Sequence, residues 1–321
     1  MTRLRFFRIL VPALLLPFLV VLALMMRERP SPTIVEAPQG SFEGPRAESI
    51  ELTDLAGGAR RLAVKVRRIE QGEGGNLRLE GIERLVLDRE NAPPLVVSAE
   101  RGDVDGMQGQ RLLRLEGGVR VHEEGGDGFL LSLPTLEVDE ASGEARSAGE
   151  VSLEYASHRG RAAWVVHGLK GQPTEIGGLE MSGPGGFSLT CQKARLLDAT
   201  RDVELSGEVR VRRGGAAVDA EALRLRRDAS RRLRDAEGSG GVSGSGGESG
   251  AADLRFAAGR AKVRWDEAGN PVELALEEEA SLLRAGSSLA AAAVHAAREG
   301  AGPNALWRVR AVGSVRADGA W

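Results

Sequence analysis

Beyond residue 48 the chain alternates apolar with polar residues almost throughout, and the 3.6-residue spacing of an amphipathic helix is nearly absent. Leu113-Arg-Leu115 and Val119-Arg-Val121 show the pattern: apolar side chains on one side and charge on the other, the period of a strand with one buried face. The alternation is organised into blocks. Val97-Ser-Ala99-Glu-Arg-Gly102-Asp-Val104, Leu189-Thr-Cys191-Gln-Lys-Ala194-Arg-Leu196 and Phe256-Ala-Ala258-Gly-Arg-Ala261-Lys-Val263 place apolar, small, small and apolar residues at identical offsets. A second block follows each as Leu113 to Val119, Val203 to Val209 and Leu274 to Ala280. A third is led by Gly128, Gly215 or Gly286, and each copy closes on Gly149-Glu-Val151, Gly241-Val242 or Gly313-Ser-Val315. Four matched blocks in three copies predict a repeated strand cassette and an all-β chain.

The copies are not evenly spaced. Leu189 and Phe256 lie 67 residues apart, Val97 and Leu189 lie 92 apart, and the surplus falls in 156–186, rich in glycine with Pro173 and Pro184. That composition predicts a Gly-rich linker over 171–186, between a first β portion at 49–170 and a second at 187–321. The Gly/Ser tract 238–250 reads as a flexible loop inside the second portion. Ser287 to Arg298 carries six alanines, a serine at the cap position and Gly300 beyond, all favourable to helix. It nevertheless aligns without gaps to the Gly215 segment, and register within a repeated sheet overrides local propensity, so a strand is predicted.

The first residues follow a different pattern. Ile9 to Met26 is 18 residues without a charge, about 27 Å as a helix and close to the thickness of a bilayer core. Arg3, Arg5 and Arg8 precede it, which places residues 1–8 in the cytoplasm and exports the bulk of the chain across the membrane. No small-x-small site follows Met26, and the Val35-Glu-Ala37 candidate is blocked by Pro38, so 9–26 reads as a retained single-pass anchor. Residues 27–48, with Pro30, Pro32, Pro38 and Pro45, read as a tether.

Composition narrows the chemistry. Lys+Arg total 43 against 46 Asp+Glu, which gives a polyanion no basic field and excludes nucleic acid as a partner class. One cysteine, Cys191, rules out a disulfide framework or a cysteine-rich zinc module. His122, His158, His167 and His295 include no pair at metal-ligand spacing, and Glu123-Glu124 and Glu277 to Glu279 fall where the repeat places turns. No catalytic constellation emerges, so neither an enzyme nor a cofactor or metal site is expected. Only 12 aromatics among 321 residues leave the predicted interior to leucine, valine and alanine.

The order of Ala99-Glu-Arg-Gly102, Leu115-Glu-Gly-Gly-Val-Arg-Val121, Leu131 to Asp139 and Gly149-Glu-Val151 resembles the OstA-like β-jellyroll of lipopolysaccharide transport. With the short anchor, residues 49 to 169 resemble the LptC family of bitopic inner-membrane proteins, and residues 187 to 321 resemble further OstA-like, LptA-like repeats. The resemblance implies tandem jellyrolls of open, twisted antiparallel sheet whose inward faces form a lipid-binding trough. The trough residues would be Leu113, Leu115, Val119, Val121, Leu131, Leu133, Leu136, Val138, Val151 and Leu153, then Val203, Leu205, Val209 and Val211. It also implies docking edges: Ile50, Leu52, Leu62, Val64 and Val66 toward an ABC exporter, and Trp307, Val309 and Val315 toward a periplasmic bridge protein or an outer-membrane translocon domain. The implied role is to receive lipopolysaccharide and pass it toward the outer membrane. The alternative is an envelope scaffold that binds only proteins around a dry interior.

Overall fold

The computed structural model describes residues 46–318 except 57–58, 72–75, 90–91, 107–110, 125–128, 156, 198–201, 229–232, 247–253, 267–270, 285 and 300–305. The anchor expected at 9–26 and the tether before residue 46 lie outside the described residues. No helix among the described residues is long and apolar enough to cross a membrane.

The described chain is all-β, as the alternation predicts, and splits into two compact units at residues 177/178. The first holds β1 (Arg46–Ala56), β2 (Ala59–Gln71), β3 (Leu77–Arg89), β4 (Ala92–Asp105), β5 (Leu112–Glu123), β6 (Phe129–Asp139), β7 (Glu144–Tyr155) and β8 (His158–Gly168). Each pairs antiparallel with the next, an open meander. β9 (Thr174–Gly183) straddles the division. The second unit continues with β10 (Phe187–Leu197), β11 (Asp202–Arg213), β12 (Ala216–Arg227), β13 (Leu233–Gly246), β14 (Leu254–Trp265), β15 (Pro271–Arg284) and β16 (Ser287–Glu299), again each beside the next. β17 (Leu306–Val312) and β18 (Arg316–Asp318) share the outer flank of β16, one on either side of its bend.

Almost every strand is bent at its middle, and the bend explains the repeated sequence blocks. In β4 the inward residues are Leu95, Val97 and Ala99, then Gly102: the ladder shifts at Ser98/Arg101, so the parity of the inward side flips across one extra residue. β10 does the same with Leu189, Cys191 and Ala194, and β16 with Leu289, Ala291 and Val294. In the partner strands β5 and β11 two residues are inserted and parity is kept, as Leu113, Leu115, Val119, Val121 and Val203, Leu205, Val209, Val211. A bulge of this kind turns the strand sharply while both halves keep an apolar face on the same core. Residues from both sides of the bend, such as Leu115 and Val119, accordingly belong to one buried cluster.

The inserted pairs adopt left-handed backbone, Gly117-Gly118 in β5, Gly207-Glu208 in β11 and Gly240-Gly241 in β13. Gly207 has φ +75°, and a methyl added there would come within 2.6 Å of the Gln192 Cβ. Gly207→Ala is therefore expected to lower stability by about 2 kcal/mol through left-handed strain alone, before any clash, and a urea melt against the parent checks it.

Two readings of local composition are corrected. Residues 171–186 are not a linker: β9 occupies most of them, followed by one 3₁₀ turn at Pro184–Gly186. The surplus between the first two copies is a further hairpin's worth of strand, β8 and β9, rather than loop. Gly177 sits there because the Trp164 ring lies directly against its α-carbon, leaving no room for a side chain. The tract 238–250 is strand as far as Gly246, because β12 and β14 bond it on both sides. Its inward glycines are covered by neighbours, Gly238 by Val242 and Gly244 by the Phe256 ring. Ser287 to Arg298 lies within β16, as the register of the repeat predicts.

Candidate functional site: the inward face and the terminal strands

The proposed lining residues come from β5 (Leu113, Leu115, Val119, Val121), β6 (Leu131, Leu133, Leu136, Val138), β7 (Val151, Leu153) and β11 (Val203, Leu205, Val209, Val211). All point inward and are buried except Leu131, which is half-buried and packs against the same cluster. Strand pairing joins them into rows that run across the strands. In the first unit Val64, Leu85, Val97, Val121, Leu131 and Leu153 are successive cross-strand partners. In the second unit two rows flank the line of bends. Leu189, Val211, Val218, Gly244, Phe256, Leu282, Leu289 and Ala317 form one. Ala194, Leu205, Leu223, Gly238, Ala261, Leu276, Val294 and Ala311 form the other. At about 4.8 Å per strand each spans roughly 34 Å without a charged residue. The side chains pack on one another: Leu115, Val119 and Leu276 are fully enclosed.

The docking edges divide differently. Val64 and Val66 are buried, and β2 is paired on both flanks, to β1 and to β3, so β2 is interior and carries no edge. Leu62 lies on this same strand. The side chains of Ile50, Leu52, Leu62 and Trp307 are outside the described residues. Val309 and Val315 are about half exposed, at 54% and 48%, with Val312 beside them. They flank or lie on β17 and β18, whose described pairing is to β16 alone. Alternation in the sequence could not separate an interior strand from a terminal one, since both show one apolar side.

The outward face of the second unit is a ladder of charge. Arg224 donates to Asp202 at 2.8 Å, Arg226 to Asp235 at 3.2 Å, Arg212 to both oxygens of Asp219, and Arg260 to Glu237. The Arg260 hydrogen bond holds the Glu237 carboxyl below its usual range, and the bond to Asp202 raises Arg224. Arg260 and Glu237 also line a small polar depression with Lys262, Ala275 and Glu277. Polar groups are thus placed opposite the apolar rows, and among the described residues no group of three or more His, Cys, Asp or Glu is arranged to hold a metal ion.

Cys191 belongs to the interior. Burial pushes its thiol up to about 12, because the thiolate would be desolvated. In the native chain it is expected to resist an aromatic disulfide reagent at pH 8 and to react fully in denaturant. The raised value also sets a pH window: above the unfolded thiol's ordinary range only the unfolded chain ionises, so stability falls as pH rises toward 12, and Cys191→Ala removes that component. Thiol titration and alkaline melts of both chains check this.

No protein-family model matches the chain, and no curated protein shows significant similarity to it.

Proposed function

We propose that the chain is a membrane-anchored periplasmic component of a lipopolysaccharide export bridge. It takes lipopolysaccharide from an ABC exporter and passes it along the inward face of tandem OstA-like jellyrolls, toward a bridge protein or outer-membrane translocon domain at the β17–β18 edge. The observation that carries this reading is the pair of uncharged rows crossing successive strands at right angles, through Leu205 and Val211. An acyl chain cannot cross water cheaply, since each methylene contributes about 0.8 kcal/mol on burial. A path of Leu, Val and Ala along the repeat direction offers continuous cover. The half-exposed Val309 and Val315, on or beside strands whose described pairing is to β16 alone, suit edge-to-edge strand addition.

Photo-crosslinking residues at Leu115, Val121 and Leu133 test it in the full-length chain. Adducts with lipopolysaccharide micelles support the carrier; adducts confined to the chain itself support the second reading, an envelope scaffold that binds only proteins. That reading draws on the close packing of Leu115 and Val119.

A further inference from the structure

We propose that the interrupted ladder between β6 and β7 is a lateral gate through which an acyl chain passes into the lining of the first unit. The proposal rests on the carrier reading above and names the place of admission.

At every other described pairing of an even strand with the following odd strand, β2–β3 apart, the bend leaves two residues unpaired against three: 99–100 against 117–119, 191–192 against 207–209, 220–221 against 240–242, 258–259 against 278–280, 291–292 against 313–315. Between β6 and β7 the register jumps from Ser132↔Ser152 to Glu137↔Arg146, leaving 133–136 against 147–151. Two rungs are absent, those that would join Thr135 to Ala148 and Leu136 to Ser147.

A proline marks the same place: the bend position held elsewhere by Glu100, Gln192, Glu221, Gly259 or Ala292 is Pro134, whose φ is fixed. One side-chain bond bridges the gap instead: the buried Ser147 hydroxyl donates to the Thr135 carbonyl at 2.6 Å. Each lip is held from behind, Thr135 by Glu116 of β5, and Ser147 and Ala148 by Val165 and Trp164 of β8. Parting the lips therefore breaks one hydroxyl–carbonyl bond and no ladder rung. Immediately inside lie Leu133, Leu136 and Val151, all buried, whereas Pro134, Thr135, Ala148 and Gly149 face solvent. An apolar lining, a seam without rungs, and a single polar latch at the seam are the parts a gate for alkyl chains needs.

The test closes the seam with a disulfide. Thr135→Cys with Ala148→Cys is introduced into the full chain carrying Cys191→Ala, with a photo-crosslinker at Val121 and lipopolysaccharide micelles as the probe. Ser98→Cys with Arg120→Cys, on an intact rung of β4–β5, is the control staple. Oxidation of the gate pair is expected to cut adduct yield at least tenfold, with recovery on reduction, while the control staple leaves the yield unchanged. Equal yield with the gate pair oxidised and reduced overturns the gate and leaves the carrier standing. Absence of adducts in the unstapled chain overturns the carrier reading, and the gate with it. Amide exchange gives a readout that needs no lipid: Thr135 and Ala148 are expected to exchange at least tenfold faster than Lys193 and Ser206, which are paired beside the corresponding β10–β11 bend, and equal protection overturns the gate.

Discussion

Leu115→Asp is expected to abolish the folded state of the 46–177 unit. Leu115 has no exposed surface, belongs to the buried apolar cluster of the first unit and lies in a row between Gly102 of β4 and Leu136 of β6. A carboxylate there loses its hydration and gains no partner, a cost of several kcal/mol even after its pKa rises to neutralise it. Natural domains are stable by only about 5–15 kcal/mol, and the lost leucine packing adds about 2–5 kcal/mol to the penalty. Circular dichroism during a urea melt should show the cooperative transition of this unit gone. Arg114→Asp, one residue away on the exposed face and paired with Glu137, is the comparison and should shift stability by no more than about 1 kcal/mol. A Leu115→Asp chain that melts like the Arg114→Asp chain would mean that the inward face is not sealed from water, and the packing described for the first unit would be wrong.

The contrast between these neighbours also shows why so much of the fold is legible. Whether a strand residue is inward or outward is a period-2 property, and Leu113, Leu115, Val119 and Val121 announce it without reference to any partner. The bends are legible once their logic is known. The small residues at Ala99 and Gly102 flank a flip in parity that a straight strand does not need, and Gly117-Gly118 supplies the two left-handed residues of its neighbour. The strand at Ser287 to Arg298 was recoverable against its helix propensity for the same reason, because its register matches that of Ala216–Arg227 residue for residue.

What composition conceals is a strand stabilised by its neighbours rather than by its own side chains. β13 is Glu-Gly-Ser-Gly-Gly-Val-Ser-Gly-Ser-Gly over its last ten residues, a tract that a free chain would leave unstructured, yet its backbone is bonded on both flanks. The side chains that fill the space over its glycines come partly from β14, at Phe256, so the signal lies outside the tract. β8 and β9 were hidden likewise: their inward positions are His158, Ala162, Val165, Gly177, Leu179 and Met181, too mixed to match the Leu/Val cassette. Edge status is a matter of topology. Nothing local to Val64 and Val66 marks β2 as flanked on both sides, whereas Val309 and Val315 have the same composition and stand exposed. The Ser147 hydrogen bond was equally invisible, because its meaning depends on the break in the β6–β7 ladder, a property of pairing that no local residue announces.

Leu205→Ala is expected to destabilise the second unit by about 2–5 kcal/mol and, unlike Leu115→Asp, to leave a fold that can be rescued. Leu205 is 1% exposed and sits between Ala194 and Leu223, so its truncation removes packing on both sides while leaving no charge or unpaired polar group. The space created is apolar and continuous with the row that runs on through Gly238 and Ala261. If that row receives alkyl chains, a medium-chain amphiphile such as decanoate held below its micellar concentration should fill the gap and raise the melting midpoint of the variant. Saturation at a hundredfold excess over its dissociation constant would return about 2.7 kcal/mol, comparable with the loss itself. The parent, already filled by Leu205, should respond less, and Arg210→Ala on the outward face of the same strand should respond like the parent. A variant that loses the stated stability but gains nothing from decanoate would mean that the row is reachable only by protein side chains. That outcome favours the scaffold reading, because a carrier must admit a chain wherever its lining has room for one.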